Sequence, residues 1–291
     1  MAGGILALLD DVAMLLDDTA AMSKVAAKKT AALLGDDLAV NAEKATGFNA
    51  SRELPVIWAI TKGAVLNKVI ILPVAFLLST FMPWLIVPIL LLGGAYLSYE
   101  GAEKVYEWIT RKHLEKPAAS KLSDKREILN SEEMKIKSAI RTDFILSIEI
   151  IVISLDTVFE QTLAIQVMVV SLIAMAAVIA VYGMVALIVR MDDAGLYFIE
   201  RSGELEGFSS TASIFTGNFL INSLPKVIHL LGIIGTIAML LVGGGMFVHN
   251  IDSIHHLLSA IPTLLADLLV GLVVGMVLFA LLSLYKSFRA H

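Results

Sequence analysis

The stretch AIRTDFILSIEIIVISLDTVFE, residues 139–160, decides how this chain is to be read. It is apolar, and long enough to cross a bilayer, which takes about 20 residues in a helix. It nonetheless carries Asp143, Glu149, Asp156 and Glu160, with Arg141 at its start as the only basic residue. A charged side chain at mid-depth costs at least about 2.5 kcal/mol on insertion scales. Glu149, Asp156 and Glu160 are spaced i, i+7, i+11, which at about 100° per residue puts them within roughly 60° of one another on one stripe. Asp143 lies well round the helix from that stripe. Glu149 and Asp156 are the deepest acids, whereas Asp143 and Glu160 stand near the two boundaries.

The composition agrees with a membrane setting. Of 291 residues, 57% are hydrophobic and 17% charged, and the mean hydropathy is +0.82. Soluble domains are about 45–50% apolar and about 25% charged. The net charge of −5 gives no basic face for nucleic acid. With no cysteine, disulfides, thiolate metal sites and cysteine nucleophiles are excluded. The N-terminus lacks a signal-peptide pattern: the apolar run at residues 3–9 is short, no basic residue precedes it, and Asp10 and Asp11 follow at once.

Working outward, residues 1–62 contain no membrane-length apolar run. Leu8, Leu9, Val12, Leu15 and Leu16 fall on one helical stripe, and the pairs Asp10/Asp11 and Asp17/Asp18 share the opposite face. A third pair, Asp36/Asp37, follows Gly35, which the spacing reads as a helix stop. This predicts a cytoplasmic amphipathic helical segment, its acids forming either a solvated face or a surface for a divalent cation or a partner. Residues 63–99 supply a first transmembrane pair broken at Pro83, with Asn67 and Lys68 near its start. One tilted span followed by a re-entrant piece is the alternative for this region. Residues 100–138 form a polar, helical cytoplasmic connector rich in both charges. Residues 139–291 supply four further spans, at 139–160, 163–189, 227–248 and 263–285, with a candidate re-entrant segment at 208–225. The expected fold is therefore an all-α, polytopic membrane protein of about six transmembrane helices.

Six spans leave Lys and Arg on one side or at its boundary, while the turns near Pro83, Gln161 and residues 249–262 have none. The positive-inside rule then predicts cytoplasmic N- and C-termini in a bacterial inner membrane. The stretches LLLGGAYLSYEGAEKV (90–105) and MLLVGGGMFVHNIDSI (239–254) echo each other. They would belong to oppositely directed spans, the pattern of a three-plus-three inverted repeat. Gly271 and Gly275, four apart, are read as a helix-packing or dimer element.

Four motifs together resemble the YedI family of bacterial inner-membrane proteins: LLDDVAMLLDDTAAMSKVAAKKTAALLGDDLAVNAE, RELPVIWAITKGAVLNKVIILP, LLLGGAYLSYEGAEK and KIKSAIRTDFILSIEIIVISL. The resemblance runs from the first residues to the last span. It implies a membrane domain of unknown function and carries no substrate or catalytic residues. The run DFILSIE also resembles the intramembrane acidic motifs of the TerC family, linked to metal-ion handling, but covers one helix and lacks that family's Asp-Asn pair.

Intramembrane acids point to cation chemistry. Carboxylate and hydroxyl oxygens suit hard cations, and a buried carboxylate suits proton coupling. Glu149, Asp156 and Asp267 are the candidate ion-binding or proton-relay residues. Asp143, Asn218, Asn222 and His229 are secondary pathway candidates. His255 and His256 are adjacent and cannot face one site on a regular helix, so the outer histidines do not read as a metal centre. No G-x-S-x-G, H-E-x-x-H or P-loop occurs, so no enzyme is expected. The sequence supports a cation transporter or channel-like protein, metal-carrying or proton-coupled. The alternative is a non-transporting scaffold, self-associating or partner-binding through its cytoplasmic segments. The partners implied are the lipid bilayer, a small cation and a second copy of the chain.

Overall fold

A computed structural model describes residues 2–45, 50–110, 125–204 and 208–289. Its elements are α1 (Ala2–Ala45), α2 (Ala50–Phe81), α3 (Ile86–Thr110), α4 (Lys125–Thr157), α5 (Leu163–Val189), α6 (Met191–Ser202), α7 (Phe208–Asn250), α8 (Asp252–Leu257) and α9 (Thr263–Arg289), with a 3-10 turn at Pro83–Leu85 before α3. There is no strand among the described residues. Among the described residues, five segments are long and apolar enough to cross a membrane: Arg52–Phe81, Pro83–Thr110, Leu163–Val189, Phe208–Asn250 and Thr263–Tyr285. The chain is an all-α polytopic membrane protein. Composition leaves α4 out of that set because its own acids and Arg141 break the apolar window, although it lies alongside α1, α2 and α5.

The helices form two groups. α1, α2, α4 and α5 pack together, and so do α3, α7 and α9; α1 against α7 and α3 against α4 join them. α5 contains no charged residue, and its buried side chains, among them Ile165, Val169, Ile173, Ala177, Val181 and Val185, recur at helical spacing. They build two cores. Towards the α4–α5 turn, Ile150, Ile151, Leu155 and Val158 meet Ile165 and Val169. Towards the other end, Val56, Ile57 and Ile60 meet Val181, Val185 and Val189. The turn itself is held by Gln166, whose Nε2 donates to the carbonyls of Phe159 and Gln161, both at 2.9 Å.

The largest departure from expectation is α1. It continues through Gly35 to Ala45 as one helix and packs between α4, α5 and α7 rather than lying outside the bundle. Leu15, Met22 and Ala26 join the core beside the α4–α5 turn, while Ala42 and Ala45 join the core at the opposite end. α1 therefore runs parallel to α5 for the whole length of that helix. Many of its inward residues are small or polar: Ser23, Ala26, Thr30, Ala39 and Asn41 are buried. Small side chains let backbones approach closely without a strong hydropathy signal. At Gly235 of α7, a Cβ would stand 2.9 Å from the Ala39 carbonyl oxygen. α9 also runs towards the end where α1 finishes, since Phe279 stacks on Tyr106 of α3, their ring centroids 4.9 Å apart. The first described core residue of α1, Leu15, and the stacked Phe279 of α9 thus lie at opposite ends of the bundle. Asp10 and Asp11 lie outside the described side chains, as does the middle of the connector, residues 111–124.

The segment 208–225 is not a separate half-helix. It is continuous with the following span in α7 through Pro225, and its first part packs on α6 through a reciprocal Gly195–Gly217 contact. Pro83 does break the chain, and residues 63–99 fall in two helices, α2 and α3. The echoing motifs pack on each other. A Cβ at Gly94 would lie 2.7 Å from the Gly243 oxygen, and one at Gly243 would lie 2.8 Å from the Gly94 oxygen. This is a local antiparallel contact between α3 and α7, and a wider three-plus-three relation does not follow from it. Gly271 and Gly275 also pack inside the chain, against Leu240 and Ser98.

The chain has no cysteine, so single-cysteine labelling reports its topology directly. A membrane-impermeant maleimide should reach Asp18→Cys from one side of sealed vesicles and Glu200→Cys only from the other. Gly244→Ala would drive a Cβ into the Asp267 carbonyl. It should destabilise the detergent-solubilised protein by about 1–3 kcal/mol in a denaturation assay.

Candidate functional site

The site is built on α4. Its Asp143 is 1% exposed and sits at the centre of a dry polar network. Lys68 of α2 places Nζ 3.3 Å from Asp143 Oδ1 and donates to Ser147 Oγ at 2.6 Å. Asn67 Nδ2 donates to Asp143 Oδ2 at 2.9 Å and to the Ile140 carbonyl. The Tyr182 hydroxyl of α5 donates to Asp143 Oδ1 at 2.9 Å and stands 3.1 Å from Asn41 Oδ1. Asn41, in α1, holds the Asp37 carboxylate one turn back. Three helices, α2, α4 and α5, therefore meet at one carboxylate, and α1 joins the network through Asn41. An ionised carboxylate is acceptor-only, and here lysine, asparagine, tyrosine and serine all point donors at it. The group is fixed by its neighbours, and with Asp37 added the network holds two carboxylates against one ammonium.

Beyond Asp143 the acids open onto a cleft of about 710 Å³ between the two helix groups. Asp36 of α1, Glu149 and Asp156 of α4, and Asp267 of α9 line it, with His249 and Asn250 of α7. The walls between them are apolar, including Leu33, Leu90, Val152, Leu241 and Met246. Asp267 is 7% exposed, and its Oδ1 has no hydrogen-bond partner. His249 Nδ1 bonds the Gly245 carbonyl at 2.8 Å, which leaves Nε2 free of that contact. Among the described residues no three His, Asp or Glu converge closely enough to hold a metal ion. The cleft is acidic without being a coordination sphere.

A third polar layer closes the other end. Lys44 of α1 pairs with Glu100 of α3 and donates to Thr142 at 2.7 Å and Ser138 at 3.1 Å on α4. Lys104 of α3 pairs with Glu43. This layer ties the two helix groups together at the end away from the cleft. At about 1.5 Å per residue, Asp156, Glu149, Asp143 and Ser138 mark successive depths along some 27 Å of α4.

The structure brings Glu149, Asp156 and Asp267 to one cleft. Asp143 belongs to the buried network behind it. Asn218 and Asn222 are exposed on the part of α7 near α6, and His229 is exposed further along the same helix, all three apart from the cleft. Glu160 lies exposed in the α4–α5 turn, and His255 and His256 stand on α8 outside the cleft. Sequence reasoning missed the roles of Asp36 and Asp37, which it placed beyond a helix stop. It also missed Lys68 as the partner of Asp143. A lysine inside an apolar run facing an acid inside another was the signal available.

A model of a family described as a protein of unknown function, DUF808, matches residues 3–283; YedI is that family's known name. Comparisons with curated proteins and with solved structures give no match.

Removing one partner of a buried ion pair strands the other. Lys68→Met should destabilise the protein by about 3–5 kcal/mol. The double variant Lys68→Met/Asp143→Asn should recover part of that loss, because no lone charge remains. Chemical denaturation in detergent, followed by near-ultraviolet circular dichroism, measures both.

Proposed function

The chain belongs to the DUF808 family of unknown function, whose membership brings no substrate with it, and we propose from the cleft that the protein carries a cation across the bilayer. The observation behind this reading is the gathering of Asp36, Glu149, Asp156 and Asp267, from three helices, around one cavity. Lone acids in a membrane interior are costly and are kept where they face a pathway. Glu149 and Asp267 would bind the cation, and Asp156 would receive it nearer the mouth. The Asp143–Lys68–Tyr182 network would sense the charge in the cleft through Asp37, which lies between them on α1.

The cleft sits between two helix groups, and the Lys44–Glu100 layer bridges those groups at the far end. Rocking one group against the other would break that layer while closing the cleft, the usual geometry of alternating access around a mid-depth site. On the positive-inside rule, the end bearing the connector, α6 and the α9 terminus would face the cytoplasm of a bacterial inner membrane. The cleft would then open outward. A scaffold acting through residues 1–62 has less support, because α1 is committed to the bundle from Leu15 onward.

Reconstituted into liposomes, the wild type should move protons or a metal or organic cation down an imposed gradient. Glu149→Gln and Asp267→Asn should each lower that rate at least about tenfold, while a Lys135→Gln surface control should not. Unchanged flux in both acid variants removes their role, and absence of any cation flux in the wild type removes the carrier reading itself.

A further inference from the structure

Resting on that reading, we infer that the cation is an amphiphilic organic one, a protonated or quaternary amine with an alkyl tail, entering sideways from the bilayer. Three observations carry this. The cleft acids do not converge as metal ligands do among the described residues, yet the space they line, about 710 Å³, falls in the range of small-molecule sites, about 300–1,000 Å³. Its walls are largely aliphatic, which suits carbon rather than a hydrated ion. Asp267, 7% exposed, lines it, and its Oδ1 has no hydrogen-bond partner. A carboxylate accepts from an N–H or lies against a quaternary ammonium without needing a full inner coordination shell.

The second cavity supplies the tail. α2 and α3 are joined by the short turn at Pro83 but pack on different groups, α2 on α4 and α5, α3 on α7 and α9. The gap between them is an apolar groove of about 400 Å³, with Val74, Leu78, Ile86, Phe144 and Ile148 along it. Val152 and Asp156 line both this groove and the acidic cleft. Asp156 is its one charged residue and stands at the join. An amine head at Asp156 can therefore pass on to Glu149 and Asp267 while its alkyl chain lies between α2 and α3. The charge complementarity is one-sided: acids at the join, hydrocarbon behind it.

The test uses the full chain in phosphatidylcholine nanodiscs, with empty nanodiscs giving the partition background. Dodecyltrimethylammonium should bind saturably above that background. It should bind at least tenfold tighter than tetramethylammonium or Mg²⁺, and tighter than a zwitterionic dodecyl sulfobetaine. Asp156→Asn should weaken it at least tenfold. Val74→Trp and Leu78→Trp, which fill the groove from the lipid side, should weaken the dodecyl probe and leave tetramethylammonium unaffected. Equal binding of tetramethylammonium or Mg²⁺, or dodecyl binding indifferent to the groove variants, overturns the inference. Proton or Mg²⁺ flux in liposomes without saturable dodecyl binding also overturns it, while leaving the cation-carrier reading in place. Loss of every cation flux takes both away.

Discussion

The arrangement depends on one buried ion pair. Lys68 and Asp143 have 3% and 1% of their side chains exposed, in a part of the bundle where neither charge can be left alone. Isolating one would cost several kcal/mol. α2 and α4 must therefore stay in register, and the donors from α5 and, through Asn41, the packing of α1 follow from that register. The same pair explains how α4 can be acidic and still sit among apolar helices. Its most buried carboxylate, Asp143, is answered by a cation from another helix, and Glu149 and Asp156 line a cavity.

Glycine makes the second group possible. α3, α7 and α9 approach through Gly94, Gly243, Gly244, Gly271 and Gly275, where a Cβ would meet neighbouring backbone or side-chain atoms. Close helices of this kind form a stiff unit held by van der Waals contact. The first group is held instead by aliphatic layers and the polar network. Two bodies of different character meet along α1–α7 and α3–α4, and the acidic cleft and the Lys44–Glu100 layer lie at opposite ends of that seam. The cleft is thus lined from both groups, by Asp36, Glu149 and Asp156 on one side and Asp267 and His249 on the other.

Much of the fold was legible from residues. α5 starts at Leu163 and ends at Val189, as the apolar run requires, α9 starts at Thr263, and α2 ends at Phe81 where Met82, the residue before Pro83, leaves the helical region. The stripe of Glu149 and Asp156 was legible because helical spacing is local. Asp267 was legible as an acid near the start of an apolar run, but only packing brings it to their cleft. α1 was misread because its inward face mixes small and polar residues, among them Ala26, Thr30, Ala39 and Asn41, and so carries no membrane-length apolar run. Gly35 was misread because a glycine marks a helix end only when nothing on either side holds the helix. Here Asp37, Asn41 and Ala42 are all buried against other helices.

By itself the sequence determined the class, most of the helices and the presence of acids that a bilayer would not tolerate unpartnered. Those properties follow from hydrophobicity and periodicity, which are written residue by residue. Only the tertiary structure decided which acids are paired and which line a cavity, and that α1 belongs to the bundle. Those outcomes depend on which residues, distant in the chain, are brought within about 3 Å of one another. No local pattern records that distance: Lys68 and Asp143 become a pair only once α2 and α4 lie side by side.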